Sequence, residues 1–390
     1  MSRASSSAPR AFPNVRDMAV NLLAALDDER YGAAALARTR ESATRAGFVL
    51  RRADGPDDRL SAWIDYTFPF SWWSSEARAG SVWIAERNGT IAGFAAFGAQ
   101  GLTFSWLRAW RERDDVGIFG PYGVEEESRG KGIGEPLLVA ALCGLRAAGY
   151  SSALIPAVGV EWLVRMYVER TGAEVVEELD DDVGPFRATI LASGAGTNAR
   201  ALLERVREGA LPLDVTAVIA NDAKAGALDA ARDHGVDAIT VAWDRRTESR
   251  AAFDTRVIEA VARTEPQLVL LLGWMHLLSP AFLERFPETI NLHPAFLPLD
   301  PTADSTVAPF GAVIPALRGA HALRDAVRER VPWIGATVHY VTAQTDRGRV
   351  LVRVPLLAGE AATEAELRND VRPYEFAAVA SAVRRWTFER

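Results

Sequence analysis

The sequence predicts an α/β protein built as a mixed α/β domain followed by a doubly wound, mostly parallel-sheet domain. Three observations predict it. Between residues 47 and 179, short strand-like runs alternate with amphipathic helices. An acidic stretch with Gly and Pro, Asp180-Asp181-Asp182-Val183-Gly184-Pro185, then interrupts the pattern as an interdomain joint does. After it the alternation restarts with strands that are apolar along their length, as in a sheet buried on both faces.

The elements follow in order. The opening residues 1–17 are rich in Ser, Ala, Pro and Arg and predict a frayed end. Residues 18–46 read as helix stopped at Gly47, so 1–46 form a helical extension, a packing or oligomerisation element. A domain over 47–182 then has strands at 47–54, 81–88 and 91–98, the last two joined by an Asn88-Gly89 turn. A strand at 115–124 precedes a strong amphipathic helix at 134–150, and a strand at 151–158, a helix at 160–172 and a strand at 173–179 complete it. The second domain, 187–390, has strands at 187–193, 215–222, 238–242, 266–274 and 288–293, with helices starting near Asn198, Ala225, Arg250 and Ser279. No internal repeat relates the two halves.

Composition excludes several classes. Of the 390 residues 49% are hydrophobic and 24% charged, which argues against wholesale disorder. The net charge of −7 argues against a broad nucleic-acid footprint, because phosphate binding needs surplus positive charge. Lys131 and Lys224 are the only lysines, a bias we read as genomic. The single cysteine, Cys143, excludes an internal disulfide and a Cys-based zinc site, and no metal is called for. The first 17 residues lack the apolar core of a signal peptide, and the longest apolar run, Leu268–Met275, is too short to span a bilayer. A cytoplasmic enzyme acting on small molecules is the expectation.

The first chemical motif runs from Val124 to Gly134. Arg129, Gly130, Lys131, Gly132, Ile133 and Gly134 lie between a strand and a helix. Glycines let backbone approach a ligand, and free N–H groups at a helix start bind an anion such as pyrophosphate. Over 47–179 the arrangement resembles the N-acetyltransferases of the GNAT family. That resemblance implies acetyl-CoA bound at Val124 and Arg129–Gly134. It also implies Tyr167 as general acid toward the CoA thiolate, with Glu125, Glu126 and Glu127 near the position of a base or forming only a solvated charge run. A degenerate, scaffold-like domain is the competing reading.

The second motif is Asn291-Leu292-His293-Pro294 at the end of a buried strand, where ligands bind in open α/β sheets. Period-two spacing puts Asn291 and His293 on one side. The loop Gln344–Gly348 brings a carboxylate, Asp346, within reach. An amide, an imidazole and a carboxylate suit acyl transfer to an amine: two donors for a developing oxyanion and a partner for the charged ring.

From Arg187 to Arg385 the sequence resembles the folate-dependent glycinamide ribonucleotide formyltransferases in the order and spacing of its motifs. The pieces include Ser193–Asn198, Leu268–Phe282, Ile290–Pro298, Gly335–Val341 and Thr345–Leu351. The resemblance implies 10-formyltetrahydrofolate as carrier and Asn291, His293 and Asp346 as the catalytic trio, with His339 beside it. It implies a pterin pocket of Trp274, Met275, His276, Leu277 and Leu278. It places a substrate phosphate on Gly194, Ala195, Gly196, Thr197 and Asn198, with Arg250 nearby. His276 stands where the family usually has Arg, and residues 299–317 are extra. Inserts beside active sites often set acceptor choice.

Two functions therefore compete. One is a bifunctional enzyme of specialised metabolism that formylates, and also acetylates, an amine of a small molecule, with or without a phosphate. The other is a purine-pathway formyltransferase with a non-catalytic accessory domain.

Overall fold

The computed structural model describes residues 19–179, 184–358 and 363–390. The frayed opening and most of the acidic joint, expected at 1–17 and 180–185, lie outside the described residues.

Residues 19–179 build one seven-stranded sheet. Its elements are β1 (Ala19–Ala25), α1 (Asp28–Tyr31), α2 (Ala33–Arg45), β2 (Val49–Ala53), α3 (Asp58–Thr67), α4 (Trp73–Ala77), β3 (Ser81–Arg87), β4 (Thr90–Phe97), β5 (Val116–Val124), α5 (Gly134–Ala147), β6 (Ser152–Val158), α6 (Glu161–Thr171) and β7 (Glu174–Leu179). The strand order is β2-β3-β4-β5-β6-β1-β7. Neighbours are antiparallel except β5 and β6. Those two pair only over Val116–Ile118 and Ser152–Leu154, although both run on. A wedge opens between them, and the Val124–Gly134 loop leaves β5 at its mouth.

The helix expected over 18–46 is corrected here. Its helical part is two helices, α1 and α2, separated at Gly32, whose backbone is extended; Ala19–Ala25 is a strand between β6 and β7, antiparallel to both. Its Leu22 and Ala24 are fully buried. The Ala/Leu-rich run has good helix propensity, but an open slot between two strands offers more hydrogen bonds and burial. Buried Asn21 ties the slot together: its Nδ2 donates to Trp106 O at 2.9 Å and to Glu177 Oε2 at 2.7 Å, while its Oδ1 accepts from Ala157 N at 2.9 Å.

The second unit contains β8 (Phe186–Ala192), α7 (Thr197–Arg207), β9 (Leu213–Ala220), α8 (Gly226–Asp233), β10 (Asp237–Thr240), α9 (Arg250–Arg263), β11 (Leu268–Leu271), α10 (Pro280–Arg285) and β12 (Thr289–His293). It continues with β13 (Ser305–Val307), β14 (Val313–Pro315), α11 (Ala322–Glu329), β15 (Trp333–Tyr340), β16 (Val350–Leu357) and α12 (Glu364–Phe388). The sheet order is β10-β9-β8-β11-β12-β15-β16, parallel through β12 and antiparallel after it. One core, with Ile190, Leu203, Leu270, Val338 and Trp386, seats α7, α8, α11 and α12 on one face. The other, with Leu191, Phe253, Leu271 and Phe282, seats α9 and α10. The expected doubly wound, mostly parallel architecture is what forms.

The two units meet along α3, α4, the edge strand β16 and α12. Arg353 on β16 pairs with Asp65 on α3 at 2.7 Å, both side chains at most 2% exposed. Arg353 also donates to Leu297 O at 2.7 Å and to Thr306 Oγ1 at 3.3 Å. Ser381 on α12 donates to the Phe70 carbonyl.

Candidate active site

The C-terminal site starts from the parallel strands β11 and β12. Asn291 lies opposite His339, and His293 opposite Thr337, in the β12–β15 register. The expected period-two placement therefore holds, and it adds His339 to the same face. The loop between β15 and β16 folds back over this face and presents Asp346, whose backbone has φ +52°.

Asp346 stands between two imidazoles. Its Oδ2 lies 3.4 Å from His293 Nδ1, and its Oδ1 lies 3.3 Å from His339 Nε2. Asn291 Nδ2 approaches Asp346 Oδ1 at 3.4 Å and His339 Nε2 at 3.3 Å. His293 is 4% exposed and His339 2%. The far nitrogens assign the tautomers. His293 Nε2 faces Leu317 O at 2.7 Å, and His339 Nδ1 faces Tyr340 O at 2.8 Å, so each must carry a proton. A neutral ring thus turns its lone pair toward Asp346, and a proton taken up there lies between ring and carboxylate.

Electrostatics agree with that layout. Burial drives His293 below its ordinary 6.5, against the Asp346 charge and the Leu317 carbonyl, which favour the charged ring. Burial pushes Asp346 up, but the His339 hydrogen bond, the His293 charge and the Gly319 N–H at 2.7 Å outweigh it. The carboxyl is held well below the usual range. Leu317, Arg318 and Gly319, whose backbone and side chain hold His293 and Asp346, drew no role from sequence; their only signal was the Arg-Gly motif after the insert.

The glycine loop Ser193–Asn198 lies between β8 and the start of α7. Among the described residues no partner accepts from the backbone N–H groups of Gly194–Asn198, so these donors remain for a ligand. Gly196 has φ +74°, and a Cβ there would meet Ala227 Cα at 2.4 Å, so only Gly fits against α8. Asn198 Nδ2 donates to Glu375 Oε2 of α12 at 3.0 Å, a partner absent from the sequence reading. The Trp274–Leu278 loop is joined to it by Met275 N donating to Ser193 Oγ at 3.0 Å. Trp274 is buried and its Nε1 lacks a partner, whereas Met275 and Leu277 are exposed apolar chains at 60% and 69%. His276 packs edge-on against Trp243, Phe253 and Trp274 and lies 2.9 Å from Asn221 Nδ2. Arg250 opens α9. It pairs with Asp254 at 2.7 Å and with the Leu277 carbonyl, and no hydrogen bond joins it to the glycine loop among the described residues. Its α9 position puts it on the His276 side.

In the N-terminal domain Gly130 and Gly132 have φ +73° and +80°, backbone that favours glycine. The loop ends at the 14-residue α5, in which Gly134 stands first. Arg129 Nε donates to Val124 O at 3.2 Å; Lys131 is exposed and Ile133 is buried. Tyr167 on α6 is 6% exposed, beside Phe119 and Tyr122 of the wedge. Burial raises its hydroxyl well above the ordinary range, with the neighbouring Tyr122 adding to the shift, so it stays a proton donor. Glu125 Oε1 accepts from Ser128 Oγ at 2.7 Å, a structural role, and Glu126 and Glu127 are exposed.

Among the described residues no group of His, Cys, Asp and Glu is arranged to hold a metal, and no helix is long and apolar enough to cross a membrane.

Comparison with known proteins places both halves. A formyl transferase family model matches residues 186–383, and an acetyltransferase (GNAT) family model matches 45–172. The chain is 37% identical over 179 residues to a phosphoribosylglycinamide formyltransferase of Mycobacterium tuberculosis, covering 45% of this chain and 74% of that one. It is 31% identical over 174 residues to the Escherichia coli protein of the same name, covering 44% and 74%. A solved glycinamide ribonucleotide transformylase from Symbiobacterium toebii is 32% identical with a TM-score of 0.46, over 55% of this chain and 92% of that one. The formyl transferase match spans half of the sequence, so the chain is a transferase that belongs to the formyl transferase family and carries an N-terminal GNAT acetyltransferase domain.

Proposed function

We propose that the C-terminal domain transfers a formyl group from 10-formyltetrahydrofolate to an amine of a small molecule, with Asn291, His293 and Asp346 as its catalytic residues. The observation that carries this is the Asp346 carboxylate lying between two protonatable nitrogens, with the Asn291 amide alongside. The carrier supplies an activated formyl carbon. The amine attacks that carbon, and negative charge collects on the formyl oxygen. Asn291 Nδ2–H donates to it, and the His293 ring, once charged, stabilises it through its positive charge, its own N–H groups being directed at Leu317 O and Asp346. As the bond between the formyl carbon and the carrier's nitrogen breaks, Asp346 stabilises the charged ring and would help move the proton that the attacking amine sheds to that departing nitrogen. The residues fit a folate: the exposed Met275 and Leu277 offer apolar cover, and buried Trp274 Nε1 is an unused donor. The free N–H groups at Gly194–Asn198 suit an anionic group on the acceptor.

The N-terminal domain, in this proposal, acetylates an amine of the same or a related molecule in specialised metabolism. Acetyl-CoA supplies a thioester. The backbone around Arg129–Gly134 at the start of α5 would hold its pyrophosphate, and Tyr167, kept protonated by burial beside the wedge, would protonate the thiolate that leaves as the amine attacks.

The test is mass spectrometry of the purified protein with both carriers and candidate amines, glycinamide ribonucleotide included, omitting one component at a time. Formylation and acetylation of a shared amine support the proposal. Formylation of glycinamide ribonucleotide without acetyl-CoA turnover replaces it with the purine enzyme carrying an accessory domain.

A further inference from the structure

From sequence the insert Leu299–Leu317 is either a loop that sets acceptor choice or a plain surface loop. The structure gives it other neighbours. Its residues 301–304 face two arginines at Asp346, one its neighbour in the chain and one bonded to its backbone carbonyl. Arg347, next to Asp346 in the chain, donates to Pro301 O at 2.9 Å and Thr302 O at 3.1 Å and pairs with Asp304. Arg318 pairs with Asp304 at 3.2 Å, donates to Ala303 O at 2.7 Å, and reaches Asp346 O at 3.3 Å. Asp304 thus bridges both arginines. The insert ends at Leu317, whose carbonyl meets His293 Nε2, and the next residue but one, Gly319, donates its backbone N–H to Asp346 Oδ2.

The other side of the insert rests on the N-terminal domain. The hairpin β13–β14 carries Phe310 at its tip, 5.2 Å between ring centres from Tyr66 of α3 and 6.1 Å from Trp333. Thr306 of β13 and Leu297 O share Arg353 with Asp65, the residue before Tyr66. Two successive residues of α3 therefore touch the insert or its anchor.

We propose that this insert is a strap by which the N-terminal domain sets the Asp346 carboxylate in place, with Asp304 as its positioning residue. The inference rests on the formyl-transfer reading of Asp346. A non-glycine residue at φ +52° keeps that conformation only where its surroundings hold it, so its aim depends on the groups that hold the loop. A displacement of about 1 Å at such a group costs about a hundredfold in rate.

The experiment compares Asp304→Ala, Asp304→Glu and Phe310→Ala in the full chain. It reads kcat and KM for formyl transfer and, independently of catalysis, the histidine ring titrations by NMR. Asp346 faces His293 on β12, His339 on β15, and Arg318 and the Gly319 N–H beyond the insert. Asp304 is an exposed side chain, 81%, so Asp304→Ala folds as the parent does. It is expected to lower kcat about tenfold or more with KM for the carrier unchanged, and Asp304→Glu to restore most of the loss. The His293 midpoint falls in Asp304→Ala, because the carboxylate that favours its charged form has moved. Phe310→Ala moves both readouts in the same direction by a smaller amount. Unchanged kcat and unchanged titrations in Asp304→Ala overturn the strap, as does a change confined to KM for the acceptor, which returns the insert to acceptor choice. Unaltered readouts in Phe310→Ala overturn the link to the N-terminal domain. If the parent protein formylates no amine, the functional reading fails, while the titrations still decide whether Asp304 positions Asp346.

Discussion

At the residue scale the site is a carboxylate with two rings turned toward it. Asp346 keeps its charge because His339, His293 and Gly319 together outweigh the burial that opposes it. Two outcomes follow. Asn291→Ala, His293→Ala and Asp346→Asn each lower formyl transfer by about a hundredfold or more, read by single-turnover kinetics with the carrier saturating. Full activity in all three would remove the site. In the parent protein the His293 ring titrates below 6.5, because burial penalises its charged form, and Asp346→Asn lowers the midpoint further by removing the one nearby anion. NMR of the ring nitrogens reads both. Asn291 and His293 could be paired from sequence because strand periodicity is local. His339 could be seen but not given a partner, and Arg318-Gly319 showed only as a motif after the insert with no role to assign. Backbone groups that hold a side chain leave no mark in residue type.

At the scale of elements the glycine loop before α5 and the strand β1 carry the N-terminal domain. Gly130 and Gly132 occupy left-handed backbone, and Gly132→Val forces a strained conformation in the loop. CoA titration should show binding lost in this variant while formyl transfer continues. Unchanged CoA affinity would take the proposed role from the loop. β1 is the element the sequence misplaced. Met18–Ala25 has helix-forming residues, and its two neighbours lie more than 120 residues away, at Ser152–Val158 and Glu174–Leu179. No local pattern reports a slot between two strands. Leu22, fully buried in that slot, should cost about 2–5 kcal/mol on truncation to Ala, seen as early melting of the N-terminal half.

For the whole molecule, the join between the domains is the consequence of the fusion. Asp65 and Arg353 are fully buried together, and Asp65→Ala leaves a buried guanidinium without its charge partner. Such a loss costs about 3–5 kcal/mol and should uncouple the melting of the two halves. Glu76 on α4 sits near Arg385 and Glu389, and burial lifts its carboxyl to about 8. The folded state then holds a proton that the unfolded chain releases near 4.5, so this group's contribution is present below about 4.5 and is lost as pH rises through about 8. Glu76→Gln should flatten the fall in melting temperature between pH 5 and pH 8; an identical slope would show that Glu76 titrates normally.

The sequence by itself determined the order of strands and helices from Ser81 to Leu179 and from Phe186 to His293, the two glycine loops and the Asn-x-His strand end, because periodicity, turn residues and helix starts are set by neighbours in the chain. Only the tertiary structure decided that Ala19–Ala25 would be a strand, that Arg250 would turn to Asp254 and Leu277, and that the insert would lie between Asp346 and α3. Each of those outcomes depends on which distant backbone or charge is available to pair, and that is settled when the chain packs.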